Sequence, residues 1–184
     1  MKKLILLRHA KSDWSGWARS LDFVSDVERP LSKRGQDACK KVSELFIARQ
    51  LKVDLVEYSS AQRAADTFTL IKDALLFSAH KKNSALYTFN SRSLMDIISS
   101  KSDEINHFLL IGHNPAIEDL VVDLVSTEHN LKELEILRSK YPTGAVAFIE
   151  LNISRWRDLQ KNCGRLIEFV RPKDIEISKD IQTQ

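Results

Sequence analysis

The chain has 184 residues, 43% hydrophobic and 29% charged, with a formal net charge of +3. That is enough for one domain with a real core, no apolar run approaches the length of a membrane span, and so mild a basic balance suits an anionic ligand but not nucleic acid. The N-terminal apolar run is too short for a signal peptide, and the two cysteines, Cys39 and Cys163, have no metal-ligand spacing, so free thiols in a cytoplasmic protein are expected.

Leu4 to Leu7 is an uninterrupted apolar run, the pattern of a strand buried on both faces in a parallel sheet. It stops at Arg8-His9, where open α/β sheets place their ligands. Residues 10–33 form a long connection holding Trp14, Trp17 and Phe23. Loops of this length are functional or disordered, and the aromatics favour an ordered loop near the site. Ser32 is the expected N-cap of a helix over 34–49, with Ala38, Val42, Leu45 and Phe46 inward and Gly35 allowing close backbone approach. Val53 to Val56 reads as the second buried strand, and Ser59 or Ser60 as the cap of a helix over 61–77. A short strand is expected from Ala85 to Tyr87. A helix over 93–100 follows, capped by Ser91 or Ser93.

Phe108 to Ile111 repeats the construction of the first strand and ends in Gly112-His113. Asn114-Pro115 reads as N-cap and first residue of a helix to about Val125. Residues 127–140 are charged and read as a solvated excursion. Ala145 to Leu151 and Arg165 to Val170 bracket a polar turn, a hairpin at a sheet edge. The expected fold class is α/β: three layers, α/β/α, with a mostly parallel central sheet and one antiparallel edge strand. A single domain over 1–172 and a polar tail over 173–184 are expected.

Right-handed crossovers bring the strand ends to one edge of such a sheet. Arg8, His9, Arg63 and His113 share that address, at a strand end or the helix turn after it. Two guanidiniums and two imidazoles there make a cationic pocket, and the helix N-termini near Ser60 and Asn114 add positive partial charge. Arginine matches phosphoryl oxygens in a bidentate way and stays charged. A neutral imidazole can attack phosphorus, splitting one hard displacement into two easier ones, while the other cationic groups stabilise the equatorial oxygens.

Leu7-Arg8-His9-Ala10 resembles the Arg-His-Gly/Ala signature of the histidine phosphatase superfamily, which includes the phosphoglycerate mutases. LLRHAKS (6–12), DVERPLSKRG (26–35), SSAQRAADT (59–67), GHNP (112–115) and FVRPKD (169–174) resemble, in order and spacing, the SixA-type phosphohistidine phosphatases over nearly the whole chain. The resemblance implies a phosphoglycerate mutase-like fold. It implies His9 as the phosphorylated nucleophile, with Arg8, Arg63 and His113 binding the phosphoryl group and no metal or other cofactor required. Ser12, Asp26, Arg29 and Asn114 are the accessory candidates.

Two departures bear on the substrate. Larger members carry an acidic proton donor after the third strand, where Ala85 to Ser91 has no carboxylate. Others carry an acid directly after the second histidine, where this chain has Asn114. SixA-type proteins likewise lack an obvious acid, which fits a phosphoramidate, whose imidazole leaves more easily than an alkoxide. No insertion is large enough to form a cap, and an open pocket suits a protein-borne phosphohistidine.

For Asp22, Asp26 and Glu28, loop capping and ion pairing outweigh the reading as a substitute acid. Arg29 reads as a salt-bridge pin of the long loop, and Arg34 as a surface helix residue. Trp14 and Trp17 suit substrate contact and loop packing about equally, and His80, His107 and His129 read as surface or local structure. The first expectation is a phosphatase for protein phosphohistidine. The second is a phosphatase or mutase for small phosphate esters. The third is a phosphoryl-binding module without turnover.

Overall fold

The computed structural model describes residues 1–15, 25–125, 134, 135, 137 and 140–176. Trp17, Asp22, Phe23 and His129 lie outside the described residues, as does most of the charged stretch 127–140. Six strands, β1 (Lys2–Arg8), β2 (Lys52–Ser59), β3 (Leu76–Asn83), β4 (His107–Gly112), β5 (Val146–Leu151) and β6 (Gly164–Val170), form one sheet in the order β3-β2-β4-β1-β5-β6. The pairs β1–β4, β2–β4 and β2–β3 are parallel.

The strand that runs against the others is β5, which pairs antiparallel with both β1 and β6. It therefore sits one place in from the edge rather than on it. The hairpin turns the chain twice, and β6, parallel in sense to β1, becomes the edge.

Helices α1 (Lys33–Ala48) and α2 (Gln62–Ile71) cover one face of the sheet, and α3 (Ser91–Ser99) and α4 (Ala116–Leu124) the other. Alternate residues of the two central strands divide between the layers. Leu4, Leu6, Phe108 and Leu110 pack with Leu94, Ile98, Leu120 and Leu124. Ile5, Leu7, Leu109 and Ile111 pack with Val42, Phe46, Ala64 and Phe68. Both faces being covered is why these strands are apolar throughout. Among the described residues no helix is long and apolar enough to cross a membrane.

Several expected elements are moved. The helix expected to run to residue 77 ends at Ile71, and a 3-10 turn at Lys72–Ala74 leads into β3. The short strand expected at Ala85–Tyr87 is instead a 3-10 turn, Ser84–Leu86. Strand β3 is an exposed edge bearing His80, Lys81 and Lys82, so it lacks the apolar run that marks a buried strand. Asn90, not a serine, caps α3, accepting from Arg92 N–H at 2.8 Å. Neither Ser59 nor Ser60 caps α2, whose N-cap position is Ala61. In the stretch read as a solvated excursion, Leu134 and Leu137 are core residues.

The expectation for α1 matches closely. Ser32 Oγ accepts from Gly35 N–H at 3.2 Å. A Cβ on Gly35 would lie 2.2 Å from the Lys11 carbonyl oxygen, so the helix presses directly on the segment that follows β1. That oxygen also accepts from Ser32 N–H at 2.9 Å and Ser32 Oγ at 3.0 Å. Gly35→Ala is expected to lower stability by about 1–3 kcal/mol, since the clashing neighbour is backbone and cannot rotate away. Urea unfolding of the two proteins checks it.

Candidate active site

The pairing of β1 with β4 sets the site. Arg8 lies opposite Gly112 in register, and His9 N–H donates to Gly112 O at 3.0 Å. The residues after the two strands, His9 and His113, therefore emerge side by side, with ring centroids 5.0 Å apart. On the other side of β1, Gly144 N–H is shared between Arg8 O at 3.0 Å and His9 O at 3.1 Å. Gly144 has φ +80°, a left-handed conformation that glycine adopts without strain. The Arg8-His9 backbone is thus clamped from both flanks.

His9 is buried, with its Nδ1 2.7 Å from the carbonyl oxygen of Ala10. A carbonyl only accepts, so Nδ1 carries the proton and Nε2 holds the lone pair. Arg63 Nε points at that same Nε2 at 3.3 Å. Burial, then the neighbouring His113, Arg63 and Arg8, lower the His9 pKa well below its ordinary 6.5. The ring is neutral at neutral pH.

His113 stands at the end of β4, beside the end of β2. Its Nε2 is 2.8 Å from Ser59 Oγ, and Nδ1 has no partner. Burial and the Arg63 charge push its pKa down to about 3, against an opposing pull from Asp26.

Arg63 opens α2 yet is only 3% exposed, unlike an ordinary helical arginine. Its guanidinium donates to Asp26 O at 2.7 Å and Asp26 Oδ2 at 3.0 Å. Thr67 fixes the turn below: its hydroxyl donates to Arg63 O at 2.7 Å and accepts from Ala10 N–H at 3.0 Å. Arg8 donates through one terminal nitrogen to Tyr141 O at 2.5 Å, while its buried Nε has no partner. Tyr141 is itself held, its hydroxyl donating to Leu6 O at 2.8 Å.

The accessory candidates divide. Asp26 accepts from Arg29 through Oδ1, and from Arg63 and Tyr87 through Oδ2. Partial burial pulls its pKa up, but the Tyr87 and Arg29 hydrogen bonds and the two guanidinium charges hold it down, at about 2. Asp26 is the counter-ion of the site, and so firmly ionised a carboxylate has no proton to donate. Arg29 also donates to Ser12 Oγ at 2.6 Å and lies 3.8 Å over the Trp14 ring. These contacts tie Arg29 to the segment that follows β1, at Ser12 and Trp14. Glu28 accepts from Ser25 N–H at 3.1 Å, a capping contact.

Asn114 is not a helix cap. The N-cap position is Pro115, after a cis peptide bond, and the Asn114 side chain turns to Glu118 Oε2 at 2.7 Å.

A cavity of about 280 Å³ is lined by the four core site residues, the four accessory candidates, Lys11, Trp14, Phe89 and Thr143. Three buried polar atoms around it lack partners among the described residues: Arg8 Nε, His113 Nδ1 and Asn114 Oδ1. Among the described residues no group of three or more His, Cys, Asp or Glu is placed to hold a metal ion.

Sequence reasoning missed Ser59, Tyr87, Thr67 and the Tyr141 carbonyl. Ser59 and Thr67 lie in the quoted block 59–67, which was the available signal. Tyr87 lies where a carboxylate was sought, and nothing in the pattern marked it.

Residues 4–86 match the family model of the histidine phosphatase superfamily (branch 1). The fold is that of the SixA structures. A candidate phosphohistidine phosphatase SixA from Agrobacterium tumefaciens superposes with a TM-score of 0.74 at 24% identity, over 93% of this chain and 98% of its own. The protein histidine phosphatase SixA complexed with tungstate gives 0.72 at 20% identity, over 95% and 99%. An uncharacterised protein of Mycobacterium tuberculosis is 26% identical over 168 residues, 91% of this chain and 100% of its own.

The depressed histidines have a thermodynamic signature. Between the folded pKa of His113, about 3, and its ordinary 6.5, the unfolded chain binds protons that the folded site refuses. Stability therefore rises with pH across that window and is lost on acidification. The free energy of urea unfolding should fall from pH 7 to pH 4, and less steeply in His113→Gln.

Proposed function

We propose that this protein is a phosphatase that works through a covalent phosphohistidine on His9, with protein-borne phosphohistidine as its substrate. One observation carries the reading: His9 is a neutral imidazole whose Nδ1–H is engaged by Ala10 O, leaving Nε2 as a nucleophile. That nitrogen faces the Arg63 guanidinium, so an anion approaching it meets positive charge directly.

The roles follow from chemistry. His9 Nε2 forms a bond to phosphorus as the phosphorus–nitrogen bond of the substrate breaks; the substrate ring, already protonated by solvent on its other nitrogen, departs as neutral imidazole. Water then displaces His9 and releases phosphate. Arg8 and Arg63 stabilise charge on the equatorial oxygens. Ser59 Oγ accepts from Ala61 N–H at 3.3 Å and so can give its own proton to His113 Nε2. In that arrangement His113 Nδ1–H becomes a neutral donor to the same anion.

The preference for a phosphoramidate rests on the lack of a general acid at the site among the described residues. Asp26 is ionised, and Asn114 has no proton of the needed acidity. Glu118 has a raised pKa because burial outweighs the attraction of Arg8, but it is spent on Asn114 and does not line the cavity. A general acid contributes about 10²–10⁴-fold, and an alkyl ester needs that help far more than a departing imidazole or aryl oxide.

A phosphohistidine peptide and p-nitrophenyl phosphate should therefore be hydrolysed with kcat/KM about 100-fold or more above glycerol 3-phosphate. His9→Ala should abolish all three activities with the fold retained. Ser59→Ala should cost about 10-fold or more, the usual loss when the partner that orients a site imidazole is removed. Efficient alkyl ester turnover would transfer the reading to a small-molecule phosphatase. Intact turnover in His9→Ala would remove the nucleophile.

A further inference from the structure

Beside the catalytic cavity lies a second one of about 220 Å³ that the phosphoryl chemistry does not use. It is lined by five cationic side chains, Lys11, Arg34, Lys140, Arg171 and Lys173, and no carboxylate is among its lining residues. The two cavities adjoin, with Lys11 and Thr143 lining both.

The charge there is largely uncompensated. Arg171 is paired with Asp174 at 2.5 Å. Lys11, Arg34, Lys140 and Lys173 make no ion pair with any described carboxylate. With a net charge of only +3 on the whole chain, a concentration of this kind is a local field rather than a general property of the surface.

The backbone that carries Lys11, Arg34 and Lys173 is also fixed. Lys11 is pinned through its carbonyl by Ser32 and pressed by Gly35, so the first turn of α1, which carries Arg34, cannot drift from it. The segment around Gly144 joins the second cavity to the nucleophile: its N–H binds Arg8 and His9 carbonyls, and a Cβ there would meet Pro172 at 2.9 Å. The 3-10 turn that bears Lys173 is thereby packed against the strand end that bears His9.

We propose that this cavity is an anion subsite that reads the substrate beside its phosphoryl group, receiving aspartate or glutamate side chains next to the phosphohistidine of a protein. The proposal rests on the phosphohistidine reading for its substrate but not for its binding. A phosphoryl group seated at His9 leaves the adjacent residues of its carrier over Lys11 and Thr143. Carboxylates reaching past them meet four cations that no described carboxylate pairs.

Two peptides of equal length and centred on one histidine provide the probe, one flanked by Asp and Glu, the other by Asn and Gln. Both are used unphosphorylated for fluorescence anisotropy and phosphorylated with phosphoramidate for hydrolysis. The native protein should bind the acidic peptide about tenfold or more tightly and hydrolyse its phosphorylated form with correspondingly higher kcat/KM through KM, both differences shrinking in 0.5 M salt. In Arg34→Glu/Lys173→Glu both preferences should vanish, and in the milder Arg34→Gln/Lys173→Gln they should be reduced. Turnover of p-nitrophenyl phosphate should be unchanged in either variant, which also certifies their folding. Equal binding of the two peptides by the native protein, or a preference that survives the charge reversal, would overturn the subsite. Selective binding without hydrolysis of either phosphopeptide would support the subsite and refute the phosphohistidine reading alone.

Discussion

The site depends on one backbone hydrogen bond and the register behind it. His9 N–H donates to Gly112 O, continuing a parallel ladder in which Leu4 to Arg8 face Phe108 to Gly112 in step. A slip of one residue would exchange the faces of the strand, sending Leu4 and Leu6 to the other layer. It would also break the side-by-side emergence of the two imidazoles. The register is specified because both faces are buried, so that α3 and α4 on one side and α1 and α2 on the other would each lose their packing. Core packing and catalytic geometry are here the same constraint.

Around that pair the electrostatics are lopsided by design of the burial. Arg8, Arg29 and Arg63 converge on a cavity in which Asp26 is the ionised partner of two of them. Both imidazoles are forced neutral by burial and by those cations. A neutral ring can attack or donate without repelling an anion's other ligands. Unpartnered atoms such as Arg8 Nε are costly when buried and are tolerated where a ligand supplies the missing bond. Asp26 meanwhile binds Arg29 and, with Tyr87, orients Arg63.

What could be read from the sequence followed how completely each element is buried. β1 and β4 are apolar on both faces and announced themselves. β3 did not, because an edge strand carrying His80, Lys81 and Lys82 has no burial pattern to show. The neighbouring helix was read too long because Ala64, Phe68, Ile71 and Leu75 keep helical spacing and are all buried, although the last of them lies beyond α2. The four principal site residues were legible from strand ends and block order. Ser59 and Ser60 read alike as helix caps because they precede a helix, whereas the partner of Ser59 is a histidine just past the adjacent strand, a contact made only by the sheet. Tyr87 acts through a carboxylate far away in sequence, and no local pattern encodes that. Asn114 looked like a cap, and the turn at Pro115 gave its side chain to Glu118 instead.

The central claim is that His9 Nε2 forms a bond to phosphorus. Its most direct test is to quench turnover of a phosphohistidine peptide within milliseconds at alkaline pH, where phosphohistidine survives, and to map the phosphoenzyme by mass spectrometry and phosphorus NMR. One phosphoryl group is expected, on His9, attached at Nε2 because Nδ1 is engaged by Ala10. Phosphate on His113, attachment through Nδ1, or turnover with no phosphoenzyme would contradict it.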